Sequence, residues 1–312
     1  MNRTQPINAQ AVLLTLLTVV LWAGTPVAIR YATELLQPMA VSGLRFLLAT
    51  IFMFGWATVH RTSLRLSPTH WKLPIMGGVL LFFQIGTFTA GVHLSNASHG
   101  SIFINTFIFW IVAIEHYLTR AHRITPLRSL GLILAALGVT LVLFPESTPK
   151  SDLLEQASLE GDLLLLLSAL ILAVKLTYTK NVVQNIHPDS FVFWHAVAGT
   201  TLMLNWAFWI EGFQPVILLQ INDSQTQNAL WALAYQGFAV AGLCFAIQAR
   251  LLKKHAASSI AVFSFATPLF GILFAVLFRG DPLSPWLFTA GIAVAVGILL
   301  VNLPNASEQP KN

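Results

Sequence analysis

Charge is what this chain has least of. Only 9% of its 312 residues are Asp, Glu, Lys or Arg, whereas a soluble globular domain carries roughly a quarter. So few charges cannot cover a water-facing surface, which excludes an ordinary soluble fold. Cysteine is almost absent as well. Cys244 stands alone inside an apolar run, so the chain forms no internal disulfide, and a small packing role is expected. No Gly-x-x-x-x-Gly-Lys-Ser/Thr loop is present, which excludes ATP hydrolysis by this chain. His-Glu-x-x-His, Gly-x-Ser-x-Gly and paired aspartates within spans are all missing, so an intramembrane enzyme has no visible constellation. A channel would need a filter or a repeated charged ring, and neither is visible. No metal site or cofactor is expected.

What remains is apolar: 56% hydrophobic residues, with a mean hydropathy of +0.72. A helix needs about 20 apolar residues to cross the hydrocarbon core. Ten runs qualify: 11–29, 38–59, 73–93, 98–119, 128–144, 162–180, 190–210, 228–249, 256–278 and 286–303. Helices are required because backbone groups in lipid have no water to bond. The first run has no small-x-small cleavage site, so it is expected to be a retained span. With the N-terminus in the cytoplasm, ten Lys and Arg fall in the loops of the inner side. Arg30, Lys150 and Arg279 fall in those of the outer side. The positive-inside rule therefore predicts ten spans with both termini cytoplasmic. The net charge of +5 is read as this topology signal, so no nucleic-acid partner is expected; membrane lipid and a small-molecule solute are, and a homodimer is compatible.

The chain also repeats itself. The pattern of apolar run, short loop and apolar run over His99–Phe144 returns over Ala256–Leu303. Arg120, Pro126, Gly138 and Leu141 fall without a gap on Arg279, Pro285, Gly297 and Leu300. Leu13, Leu14, Leu16, Leu17 and Ala23 likewise align with Leu163, Leu164, Leu166, Leu167 and Ala173. Two copies are expected, 1–150 and 151–312. Five spans per copy is an odd number, so the copies insert with opposite orientation. Inverted repeats of this kind mark transporters whose site lies near the midplane between the halves.

Particular residues carry a family resemblance: Leu21-Trp22-Ala23-Gly24, Leu44-Arg45-Phe46-Leu47-Leu48-Ala49 and Gly131 to Val139. So do Gly161-Asp162-Leu163-Leu164, then Ala266-Thr267-Pro268 followed by Gly280-Asp281-Pro282-Leu283-Ser284. With these motifs, in this order, the chain resembles the EamA-like permeases of the drug/metabolite transporter superfamily. The resemblance implies two inverted five-helix repeats, a central cavity lined mainly by helices 1, 3, 4, 6, 8 and 9, and export or uptake of small metabolites. Departures are visible: Phe109 stands where the second half has Pro268, and Leu172 and Lys175 stand where helix 6 often carries aromatics.

Charge in the hydrocarbon region costs about 3 kcal/mol and marks functional candidates. Arg45, Glu115 and Lys175 are the ones in span interiors. Glu115 and Lys175 each precede a basic loop residue by five positions, about 7 Å at 1.5 Å per residue. His195 lies on the same side, so Glu115, Lys175 and His195 are expected to form a polar cluster, with Glu115 the candidate coupling group. Arg45 is a candidate for a substrate carboxylate, with Glu34 its candidate structural partner. Gln84, Asn105, Tyr178 and Gln236 are polar within spans and should face the interior as substrate ligands or helix–helix contacts. Trp22 is a cavity-lining candidate. Pro26 and Pro268 remove helix hydrogen bonds and are candidate gating points.

Overall fold

Helix boundaries follow from the chemistry of the residues that open and break them. The computed structural model describes residues 8–117, 126–143, 157–219, 223–255, 260, 262–281 and 285–302. Asn8 and Ser158 open spans 1 and 6 alike, each accepting the backbone N–H three residues on; such caps satisfy amides that have no partner inside the helix. Pro38 and Pro188 open spans 2 and 7 from the first helical turn, where a missing N–H costs nothing.

Ten helical spans result among the described residues. Span 1 runs over Ala9–Ala23 and Thr25–Thr33, interrupted at Gly24. Pro26, just after the interruption, offers no N–H to the turn before it. Span 2 is Pro38–Val59, and span 3 is Lys72–Leu94. Span 4 is Ala97–Ile104 and Phe107–Tyr117, and span 5 is Pro126–Leu143. Spans 6 and 7 are Leu159–Asn185 and Pro188–Trp209. Span 8 runs from Ser224 to Lys254 and carries a π-helix over Tyr235–Cys244. Span 9 passes from a 3-10 turn, Val262–Phe265, into Ala266–Arg279, and span 10 is Pro285–Asn302. Pro268 sits where that 3-10 turn gives way to the α-helix. The chain is an all-helical membrane protein of ten transmembrane helices, arranged as two inverted five-helix repeats.

The packing obeys the symmetry of the repeats. Span 5 packs on span 10, and span 2 on span 7. Span 3 against span 6 is matched by span 8 against span 1, and span 3 against span 7 by span 8 against span 2. Span 4 meets span 6 as span 9 meets span 1. Gly138 and Gly297, aligned in the sequence, meet at one interface. A Cβ on Gly138 would lie 2.9 Å from the Ala290 carbonyl, and one on Gly297 would lie 2.7 Å from the Gly131 carbonyl. Small residues here let two helices approach in a medium that offers no hydrophobic drive between them.

The same symmetry pairs residues that sequence identity alone does not connect. Arg45 and His195 each stand seven positions after the opening proline of their span. Gln84 and Gln236 each stand twelve after the first residue of spans 3 and 8, each behind an aromatic residue. Lys175 and Thr25 each stand sixteen into spans 6 and 1, and Ser168 and Thr18 each stand nine into them.

Candidate functional site

Span 3 and span 6 are joined by a buried polar chain. The Lys175 ammonium donates to Gln84 Oε1 at 2.7 Å. Gln84 Nε2 donates to Ser168 Oγ at 3.2 Å, and Ser168 Oγ donates back to the Gln84 carbonyl at 2.8 Å. All three side chains are buried. Lys175 also lies 5.1 Å from the centre of the Phe245 ring on span 8, an arrangement that favours a cation. His195, on span 7, stacks on that same ring at 6.2 Å and on Phe191 at 5.0 Å. Lys175 and His195 are thus brought to one aromatic side chain, but they do not bond to each other. His195 Nδ1 is bonded instead to the Val192 carbonyl of its own helix at 2.8 Å. Glu115 lies on span 4, and its side chain lies outside the described residues.

Arg45 stands on the span 2 face that meets span 8. It is 2% exposed, and its Nε and Nη1 have no hydrogen-bond partner. The expectation that Glu34 pairs with it is corrected: Glu34 Oε1 is 2.6 Å from Arg279 Nη1. Arg279 is the last residue of the span 9 helix, so the pair closes that edge and leaves Arg45, further down span 2, without it. The π-helical segment of span 8 packs on span 2 and carries Gln236. Gln236 is fully buried, and neither Oε1 nor Nε2 has a partner. The helices approach closely there, since a Cβ on Gly237 would lie 3.0 Å from the Arg45 carbonyl. A π-helical turn widens the backbone locally and recurs at functional sites.

The remaining candidates have local roles. Asn105 Nδ2 donates to the Ser101 carbonyl of its own helix at 2.6 Å, just before the interruption of span 4. Tyr178 Oη donates to the Leu73 carbonyl at 2.9 Å and ties span 6 to the start of span 3. Trp22 is half-buried and stands two residues before the interruption of span 1 at Gly24. Beside it, Tyr235 donates to the Leu21 carbonyl. Tyr235 also lines a cleft of about 430 Å³ between spans 1, 8 and 9, with Gly24, Tyr31, Trp231 and Phe274 on the other walls. Among the described residues, no three His, Cys, Asp or Glu side chains group as metal ligands.

Both faces carry charged latches that the sequence reading did not find. At one end of the bundle, Asp189 opens span 7 and accepts from Arg250 of span 8 through Nε at 3.0 Å and Nη2 at 2.6 Å. Thr62 in the loop after span 2 adds a third contact at 3.2 Å. At the opposite end, Asp162 meets His99 at 2.9 Å and Ser95 at 2.7 Å. Asp281 accepts from the backbone and hydroxyl of Ser98 at 3.0 and 2.8 Å. The available signal was positional: these carboxylates stand beside helix starts, where an acid is favoured.

Known proteins share this architecture. An uncharacterized transporter of Bacillus subtilis, YoaV, is 21% identical over 281 residues, which is 90% of this chain and 92% of that one. An uncharacterized transporter of Archaeoglobus fulgidus is 23% identical over 300 residues, 94% of this chain and 97% of the other. A chloroplastic WAT1-related protein of Arabidopsis thaliana is 21% identical over 288 residues, 92% of this chain and 68% of its own. A solved crystal structure superposes with a TM-score of 0.67 at 17% identity, covering 94% of this chain and 96% of its own, and supports the fold. The EamA-like transporter model matches twice, over residues 9–144 and 159–303. Two matched copies, spanning the two sets of helices just described, place the chain in the EamA-like transporter family.

Proposed function

We propose that this chain is a secondary transporter that moves a small polar metabolite, such as an amino acid or related solute, across the cell membrane by alternating access. The two repeats, bounded at about residue 150, are its moving halves. The termini are cytoplasmic, on the strength of the loop charges. One observation carries the reading. Gln84 and Gln236 occupy equivalent places in the two halves, yet Gln84 is bonded to Lys175 and Ser168 while Gln236 has no partner. Alternating access requires equivalent contacts to differ between inverted halves at any one moment, so that exchanging them opens the other side. A polar set in the middle of a lipid-surrounded bundle gives the solute its binding groups, since buried polar atoms need partners.

Pro26 and Pro268 are the bending points in this cycle, one at the interruption of span 1 and one at the start of the span 9 helix. Glu115 is the group for proton coupling. The test is uptake by purified protein in liposomes, with and without a pH gradient. The panel holds amino acids, nucleosides, sugar alcohols and small carboxylic acids. Saturable uptake of at least one solute is expected. Uptake of none of them would overturn the reading. If Glu115→Gln leaves the rate and its pH dependence unchanged, protons are not coupled through that residue.

A further inference from the structure

We propose that span 8 is a register switch. In each transport cycle its π-helical segment relaxes to α-helix and re-forms, turning Phe245 and Arg250 away from their present partners and back. This inference rests on the transporter reading and assigns a part that moves within it.

The argument starts from the backbone. A π-helix closes each turn one residue later than an α-helix, and it is rare beyond a single turn. In span 8 it runs for ten residues, Tyr235–Cys244, between α-helical flanks. Counted from the twin positions of Gln84 and Gln236, the equivalent stretch of span 3 is 83–92. That stretch lies inside the unbroken α-helix Lys72–Leu94. Both stretches lie within lipid-spanning helices, so the surrounding medium does not account for the π form of one of them.

Two glycines show what the extra residue does. Gly237 and Gly242 stand five apart, and both face span 2. A Cβ on Gly237 would meet Leu48 and the Arg45 carbonyl, and one on Gly242 would lie 2.6 Å from Phe52 Cδ1. Leu48 and Phe52 stand four apart on their α-helix, so a five-residue turn of span 8 is matched to a four-residue turn of span 2. Span 3 also has glycines five apart, Gly86 and Gly91, and its α-helix sends them to different neighbours. Gly86 meets Met39 of span 2, and Gly91 meets Leu165 of span 6. In an α-helical span 8, Gly237 and Gly242 could not both face span 2.

The consequence lies just beyond the segment. Phe245 is the first residue after it. Its ring lies 5.1 Å from the Lys175 ammonium, 6.2 Å from the His195 ring and 5.8 Å from the Phe46 ring, so spans 2, 6 and 7 meet on one side chain. Arg250 follows on the same helix and is held by Asp189 of span 7. At the other end of the segment, Tyr235 donates to the Leu21 carbonyl of span 1. Releasing one residue from the π turns rotates one end of span 8 against the other by about 100° and lengthens it by about 1.5 Å. With Tyr235 held on span 1, Phe245 then leaves Lys175 and Arg250 leaves Asp189. The switch thus stands between a tie to one half and the polar chain of Lys175, Gln84 and Ser168.

The experiment deletes Ala239 from the full chain. Gly237 and Gly242 then stand four apart, a spacing that stacks both on one face of an α-helix. Contact with span 2 is kept, and no spare residue remains. In liposomes given the solute panel above, the parent should carry at least one solute, and the deletion protein should carry it no faster than empty liposomes. In detergent the deletion protein should stay monodisperse and unfold at or above the parent's temperature, because ordinary α-helical bonding is restored. Hydrogen–deuterium exchange on the parent is the second measurement and needs no variant. A carried solute should speed exchange of the amides over Tyr235–Cys244 and leave those over 83–92 of span 3 unchanged. If the deletion protein does not fold, this exchange result decides. A folded deletion protein that transports at the parent's rate would overturn the inference while the transporter reading stands. So would span 8 exchange that the solute leaves unchanged. A parent that carries none of the panel would overturn both.

Discussion

Replacing Asp189 by Asn keeps the shape of the side chain and removes its charge, so it isolates the latch between spans 7 and 8. The Asp189 carboxylate is fully buried and takes two hydrogen bonds from Arg250 and one from Thr62. Removing one partner of a buried ion pair costs about 3–5 kcal/mol, because the other charge is left behind. Here the Arg250 side chain is 34% exposed, so water recovers part of its solvation, and exposed pairs are worth only about 0–1 kcal/mol. The expected destabilisation lies between, about 2 kcal/mol, or roughly thirtyfold in the unfolding equilibrium. Intrinsic fluorescence of the nine tryptophans follows unfolding in mixed micelles and reads this difference. Arg250→Met should cost more than Asp189→Asn, since it leaves the fully buried Asp189 carboxylate without its charge partner, whereas the guanidinium left by Asp189→Asn is partly solvated. The double variant should then be more stable than the sum of the two losses by about 1–2 kcal/mol. An Asp189→Asn protein within about 0.5 kcal/mol of the parent, or a cycle without coupling, would refute the reasoning.

Gly78→Val should fail to assemble the contact between spans 3 and 7, because any Cβ there meets backbone: the Gly199 nitrogen at 2.9 Å and the His195 carbonyl at 3.0 Å. Gly55→Ala is the control, with nothing within 4 Å; yield of monodisperse protein in detergent separates them. Tyr235→Phe removes the hydrogen bond to the Leu21 carbonyl at the interruption of span 1. It should cost about 1 kcal/mol, read from unfolding in mixed micelles.

Ten spans were legible because lipid leaves the backbone one economical answer, and the apolar runs state it plainly. The repeat was legible where leucines, glycines and loop residues recur, as in spans 1 and 6 and at Gly138 and Gly297. It is legible in spans 2 and 7 as well, where Pro38, Thr50, Met53, Trp56 and Ala57 recur as Pro188, Thr200, Met203, Trp206 and Ala207 although Arg45 and His195 differ, and it fades in spans 3 and 8, where Leu81 and Gln84 recur as Leu233 and Gln236. Symmetry of backbone packing survives such divergence, while identity of side chains does not. Partners across the bundle were beyond reach for a related reason. Gln84 and Lys175 are 91 positions apart, and nothing local tells a lysine which helix it will face. Nearness in sequence suggested Glu34 for Arg45, but Arg279 captures that carboxylate at the membrane edge. His195 shares the Phe245 ring with Lys175, and its bond to its own helix depends on ring orientation, which composition does not encode.

The central claim is that two inverted halves exchange conformations around a shared polar site, and paired spin labels measure this directly. In a Cys244→Ser background, one pair joins the outer ends of spans 3 and 8 at Leu94 and Ser224. A second joins their inner ends at Lys72 and Lys253; all four positions are exposed. On adding a solute that the liposome assay shows to be carried, the two distances should shift in opposite senses, one widening as the other narrows. Distances that stay fixed, or that widen and narrow together, would contradict the account.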